Sequence, residues 1–278
     1  MFGAVVAALD GSELAGRAVP YASQFAARLG APLNLIWVLP TDSSEVRKSE
    51  ATTYLQDVAR SLDLDVQTML RFGAPAPEII SAAAGLPEPV IVMTTHGHGG
   101  IGRLLFGSVA DAVARGVHTP VLLIRAGTAV VSTLIGSILI LLDGTAYSEA
   151  ALPYATTLAR TFDADLWLVR VADTTEVSED PVSSMALWEE HHRMVRESST
   201  YLNDLVERLE KEGIRAHARP LAGFVEDEIL AYEREARPDL VVIATHGRGG
   251  LRRLGFRSLA ERILRLGTTP VLMIKPAP

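Results

Sequence analysis

One stretch constrains this chain more than any other, because it occurs twice. Thr94 to Ser108 reads TTHGHGGIGRLLFGS and follows the apolar run Pro89-Val90-Ile91-Val92-Met93. Ala244 to Ser258 reads ATHGRGGLRRLGFRS and follows Asp239-Leu240-Val241-Val242-Ile243. An apolar strand, a glycine-rich turn and a helix start make a natural anion site. Glycine lets backbone approach a ligand closely, and the free N–H groups of the first helical turn point at it. The chain thus carries two copies of one candidate phosphate cradle.

The rest of the chain repeats in step with these loops. Val5–Leu9 ends in Asp10-Gly11-Ser12, and Ile138–Leu142 ends in Asp143-Gly144-Thr145. Ala18-Val19-Pro20-Tyr21-Ala22 returns 133 residues later as Ala151-Leu152-Pro153-Tyr154-Ala155. Gly73 with Glu78-Ile79 returns 150 residues later as Gly223 with Glu228-Ile229, and Thr119-Pro120-Val121 returns at the same offset as Thr269-Pro270-Val271. The second copy therefore holds 17 additional residues between Asp173 and Arg215, expected to lengthen the helix carrying Trp188, His191 and His192. Short apolar runs alternating with helical segments read as strands buried on both faces and crossover helices. The expected fold is α/β: two tandem Rossmann-like open parallel five-stranded sheets with helices on both faces. The first repeat spans 1–126, the second 137–278, and a linker covers 127–136. Pro20 and Pro153 are expected to kink their helices.

Composition narrows the function classes. The 278 residues carry a net charge of −7, which argues against broad electrostatic binding to nucleic acid or an anionic membrane. Cysteine is absent, so disulfides, thiolate metal sites and cysteine nucleophiles are excluded. The uncharged stretch from Ala126 to Leu142 is too short and too rich in glycine, serine and threonine for a membrane span. No signal peptide is read at the start, and a cytoplasmic location is expected.

These motifs in this order resemble the universal stress protein family, and the chain is similar to a tandem member with two such domains. The resemblance rests on Asp10-Gly11-Ser12 after the first strand, Gly73-x-Pro, Thr95-His96-Gly97, Gly107-Ser108 ten residues past Gly97, and the closing Thr-Pro-Val-Leu strands. Its ATP-binding branch has Gly, two residues, Gly, nine residues, then Gly-Ser or Gly-Thr. The first repeat matches with Gly97, Gly107 and Ser108 and departs at Thr94; the second has Gly247 and Ser258 but Ala244 and Arg257 where the pattern has glycine. The resemblance further implies that Asp10 and Asp143 face the adenine, with the backbone of Val38 and Val171 beside the base. It implies ATP, ADP or AMP as ligand, with or without Mg2+. Members also pair through the last strand, so Val121–Ile124 and Val271–Ile274 are expected to dock the repeats as an intrachain pseudo-dimer, and a homodimer is admitted as well.

Each reading has a plainer rival. The glycine loops could be ordinary βα loops, but their place after a buried strand and their duplication favour a cradle; neither is a Walker A loop nor a dinucleotide fingerprint. Asp10 and Asp143 could serve only the next helix start, or both serve it and meet a ligand. Arg257 could block backbone approach, hold phosphate with Arg248, Arg252 and Arg253, or sit in a solvated loop. The first repeat is therefore the expected nucleotide site. His96 and His246 read as turn residues, and the adjacent His191 and His192 point to different helix faces and cannot share a metal. No catalytic residue is assigned, because no positioned general base is legible and Asp10 has no acidic partner for magnesium. The expected function is adenine-nucleotide binding in a regulatory, stress-response role. A slow ATPase, or an interaction module with empty or other anion sites, is the alternative.

Overall fold

The computed structural model describes residues 1–95, 107–125, 135–174, 181–245 and 256–276, with the side chains of 181–184 and 256–258 outside that description. Two compact units emerge from the contacts. The first begins with β1 (Ala4–Leu9), α1 (Glu13–Gly16), α2 (Ala18–Leu29), β2 (Leu33–Leu39) and α3 (Glu45–Arg60). It continues with β3 (Val66–Phe72), α4 (Pro75–Ala84), β4 (Pro89–Thr94), α5 (Ser108–Gly116) and β5 (Val121–Ile124). The second begins with β6 (Ser137–Leu141), α6 (Ala146–Glu149), α7 (Leu152–Phe162), β7 (Asp165–Asp173) and α8 (Pro181–Lys211). Its remaining elements are β8 (Ala216–Gly223), α9 (Val225–Ala236), β9 (Leu240–Ala244) and α10 (Phe256–Leu266). The last strand, β10 (Val271–Ile274), belongs by its contacts to the first unit.

Hydrophobic pattern explains which strands lie where. All six residues of β1 are buried, as a strand flanked by two others and covered on both faces requires. β3 has no buried residue, only partly buried and exposed ones, and it takes the edge. In the first unit the order is β3-β2-β1-β4-β5-β10, with β1 parallel to both β2 and β4. In the second it is β9-β6-β7-β8, all parallel, and Pro220 falls on the edge strand β8, where a missing backbone donor is tolerated. The expectation of two five-stranded sheets is corrected: the first unit's sheet has six strands and the second's four among the described residues. The wholly parallel expectation is corrected too: β10 runs antiparallel to β5, Val271 opposite Leu123 and Met273 opposite Val121. Four-residue apolar strands ending on a free edge supply the hydrogen-bonding groups for that pairing.

The prolines correct a second expectation. Neither kinks a continuous helix. Each helix ends early, at Gly16 and Glu149, and a new one starts with Pro20 or Pro153 in its first turn. The absent N–H of proline is one the first turn leaves unpaired anyway, so the break costs less there than a kink would. The 31 residues of α8 against 16 in α3 account for most of the extra length of the second repeat.

Polar clamps fix the second unit's turns. Glu233, 2% exposed on α9, accepts from the backbone N–H groups of Thr268 at 2.7 Å and Thr269 at 2.9 Å. Asp239 accepts from the N–H groups of Gly136 and Ser137, each at 2.9 Å, before β6 begins. Among the described residues no helix is long and apolar enough to cross a membrane.

Candidate functional site

Strand order dictates where a ligand can sit. In an open parallel sheet the binding crevice forms outside the carboxyl ends of the strands where the winding reverses. That reversal falls between β1 and β4 in the first unit and between β6 and β9 in the second. Asp10 follows β1 directly, Asp143 follows β6 after Leu142, and Thr94 and Ala244 end β4 and β9. Four of the expected site residues thus lie at the two switch points.

The two aspartates hold their loops in the same way. One oxygen of Asp10 accepts from the N–H of Ser12 at 3.0 Å and its hydroxyl at 2.6 Å, and the Ser12 hydroxyl accepts from the N–H of Ala15 at 3.0 Å. One oxygen of Asp143 accepts from the N–H and hydroxyl of Thr145 at 2.8 and 2.6 Å, while Thr145 caps α6 through the N–H of Ser148. Ser12 and Thr145 are therefore the helix caps, and each aspartate positions its cap. Burial pushes the Asp143 carboxyl up, but hydrogen bonds from Ser148 and Thr145 outweigh it and hold the group below its usual 3.8.

The remaining expected residues divide. Val38 is half-buried as the penultimate residue of β2, and Val171 lies within β7 with two strand residues after it. Gly107 caps α5 and donates its N–H to the carbonyl of Thr95, and Ser108 opens the helix with an exposed side chain. Gly97 and Gly247, with His96 and His246, lie outside the described residues. Arg257 and Ser258 belong to the first turn of α10, and their side chains are likewise outside the description.

Beside the aspartates the structure brings in residues that the sequence reading missed. In the first unit Trp37, next to Val38, meets Tyr54 of α3 edge-on, with ring centroids 5.3 Å apart. Burial and the charge of Asp10 both raise the Tyr54 phenol. In the second unit Arg170, next to Val171, lies 5.0 Å over the ring of Tyr201, whose hydroxyl donates to Glu149 at 3.0 Å. The Tyr147 hydroxyl donates to the carbonyl of Thr245, tying α6 to the end of β9 across the switch point. A cavity of about 340 Å³ opens here. Asp143, Arg170 and Val171 line one side, Met194, Glu197 and Ser198 of α8 another, and Ile229 and Leu259 close it. Such a size and mixed lining suit a small organic ligand. The signal for these residues was present in the sequence: Tyr54 and Tyr201 sit in matching segments, Glu-Ala-Thr-Thr-Tyr-Leu and Glu-Ser-Ser-Thr-Tyr-Leu.

The sequence profile described as "Universal stress protein family" matches residues 1–125 and again 135–275. The chain belongs to the universal stress protein family. A universal stress protein of Methanocaldococcus jannaschii is 29% identical over 134 residues, 48% of this chain and 78% of that one. A universal stress protein of Mycobacterium tuberculosis H37Rv is 25% identical over 300 residues, 98% of this chain and 96% of its own. Among solved structures, a universal stress protein from Archaeoglobus fulgidus matches with a TM-score of 0.73 at 21% identity, covering 99% of both chains. The whole-length matches make this a tandem universal stress protein, in agreement with its repeat.

The Asp143 hydrogen bonds give this universal stress protein a defined acid response. A carboxyl held below its unfolded value stabilises the fold above that value and loses the contribution as pH falls through the folded one. Asp143→Asn mimics the protonated group. The variant is expected to be less stable than the parent at pH 7, and the gap in urea midpoints should close below the unfolded value of 3.8. A gap unchanged from pH 7 to 3 would refute the assignment.

Proposed function

We propose that this universal stress protein binds an adenine nucleotide at the carboxyl ends of its strands and acts through ligand occupancy rather than turnover. One observation carries the reading: the cavity of about 340 Å³ in the second unit is lined by Asp143 and Val171, the two positions that the family pattern assigns to the base. Gly107 and Ser108 at the start of α5 support a phosphate end in the first repeat, where backbone N–H groups and the helix terminus favour an anion. Asp10, Val38, Thr94 and Gly97 would complete the first site; Ala244, Gly247, Arg257 and Ser258 the second. On this reading the protein works in the cytoplasm, and the nucleotide stiffens the loops and signals through conformation.

The test is to denature freshly purified protein and quantify released adenine nucleotides per chain by mass spectrometry, followed by titration of the emptied chain with ATP, with and without magnesium. Two nucleotides per chain mean that both repeats bind despite Arg257. Gly107→Arg, which sets a long side chain at the α5 terminus, is expected to remove one of them. No nucleotide and no binding on titration would overturn the reading and leave an interaction module. ADP accumulating from bound ATP would establish the slow ATPase instead.

A further inference from the structure

Among the positions lining the second unit's cavity, one differs between the repeats by a single hydroxyl. Glu50-Ala51-Thr52-Thr53-Tyr54-Leu55 of α3 corresponds to Glu197-Ser198-Ser199-Thr200-Tyr201-Leu202 of α8. The equivalence is spatial as well: Tyr54 packs on Trp37, and Tyr201 packs under Arg170 at the same place in the repeat. Leu55 and Leu202 are both buried. Within this shared frame Ala51, 1% exposed, is replaced by Ser198, also 1% exposed.

That serine is anomalous. Its hydroxyl is buried and has no hydrogen-bond partner among the described residues. Helical serines commonly return the hydroxyl to a carbonyl one turn back, as Ser199 does to Val195 at 2.9 Å. A buried hydroxyl left unpaired costs stability, and alanine, as in the first repeat, would avoid the cost. Ser198 also lines the cavity, together with Asp143, Val171 and Glu197. A hydroxyl both donates and accepts, so it can pair with a ring nitrogen or an amino group of a base.

We propose that Ser198 is a ligand-binding residue of the second repeat, its hydroxyl completing its hydrogen bonds with the base of an adenine nucleoside or nucleotide in the cavity. The two repeats are then unequal receptors: one reads its ligand with a polar wall from α8, the other offers the methyl group of Ala51. This rests on the adenine-nucleotide reading above and names a residue that distinguishes its two sites.

The experiment is calorimetric titration of the whole chain with ATP and, separately, with adenosine, for the parent and Ser198→Ala, together with thermal unfolding of each protein free of ligand. Loss of one hydrogen bond predicts a dissociation constant about three- to tenfold higher at one site. The same substitution should raise the ligand-free melting temperature, because it removes an unpaired buried hydroxyl and places a better helix former on α8. Weaker binding with a higher melting temperature supports the proposal. Equal binding by parent and variant overturns it and leaves the nucleotide reading standing. Weaker binding with a lower melting temperature makes Ser198 a structural residue and also overturns it. A parent chain that binds neither ATP nor adenosine overturns both.

Discussion

Gly11→Val is expected to lower the unfolding free energy by about 2–5 kcal/mol, the sum of a left-handed backbone penalty and an overpacking penalty. Gly11 has φ +78°, where a β-branched residue is strained whatever surrounds it. A Cβ there would overlap the far edge of the Trp37 indole. The ring is held edge-on by Tyr54, so it cannot retreat without giving up that contact. Gly144, the counterpart in the second repeat, has φ +85°, and its Cβ would meet the guanidinium of Arg170 at 2.9 Å. A guanidinium at the end of a flexible stem moves more cheaply than an indole. Gly144→Val should therefore cost less, about 1–3 kcal/mol, mostly backbone strain. Urea unfolding of both variants decides the matter, and equal losses would show that Trp37 is not the rigid partner inferred here. On the nucleotide reading proposed above, Gly11→Val should also weaken binding in the first repeat, since it shifts the Asp10–Ser12 turn.

The second large effect belongs to Glu233. Removing the carboxylate with Glu233→Ala leaves the N–H groups of Thr268 and Thr269 without their acceptor in a partly buried turn, where Thr269 is buried and Thr268 exposed. Two unsatisfied backbone donors and a side-chain-sized void are expected to cost about 3–4 kcal/mol. Glu233→Gln keeps an acceptor oxygen at the same reach and should cost less than half as much. Hydrogen exchange gives the local readout, with the Thr268 and Thr269 amides losing protection in the alanine variant but not in the glutamine one. Unchanged protection in the alanine variant would show that Glu233 is not their acceptor in solution. The first repeat has Ala83 at this position, so the clamp is a property of the second unit.

Most of the sheet was legible in the sequence because parallel strands buried on both faces are short uninterrupted apolar runs, as Val5–Leu9 and Leu240–Ile243 are. The switch-point location of Asp10 and Asp143 followed from the same logic. What escaped reading depends on contacts distant along the chain. The pairing of Val121–Ile124 with Val271–Ile274 was expected from the family resemblance, but its antiparallel direction is not visible in either strand's own pattern, which suits a parallel or an antiparallel neighbour equally. Pro20 and Pro153 were misread because their pattern continues across the break between two helices. Arg170 was passed over because an arginine beside an apolar run looks like a solvated strand end, whereas it lies over Tyr201. Ser198 is one small polar residue on a long polar helix, and only the cavity marks it out.

The pairing of β5 with β10 has a bearing on how the chain is made. Val121–Ile124 emerge from the ribosome well ahead of Val271–Ile274, their hydrogen-bonding partners. The intervening 146 residues take on the order of 10–30 s to synthesise. Throughout that interval the first unit carries a bare, wholly apolar strand edge, a surface on which nascent chains of the same polysome could cross-pair. Translation that stalls or terminates before residue 271 would leave the lesion permanent, so quality control of this protein turns on the arrival of β10.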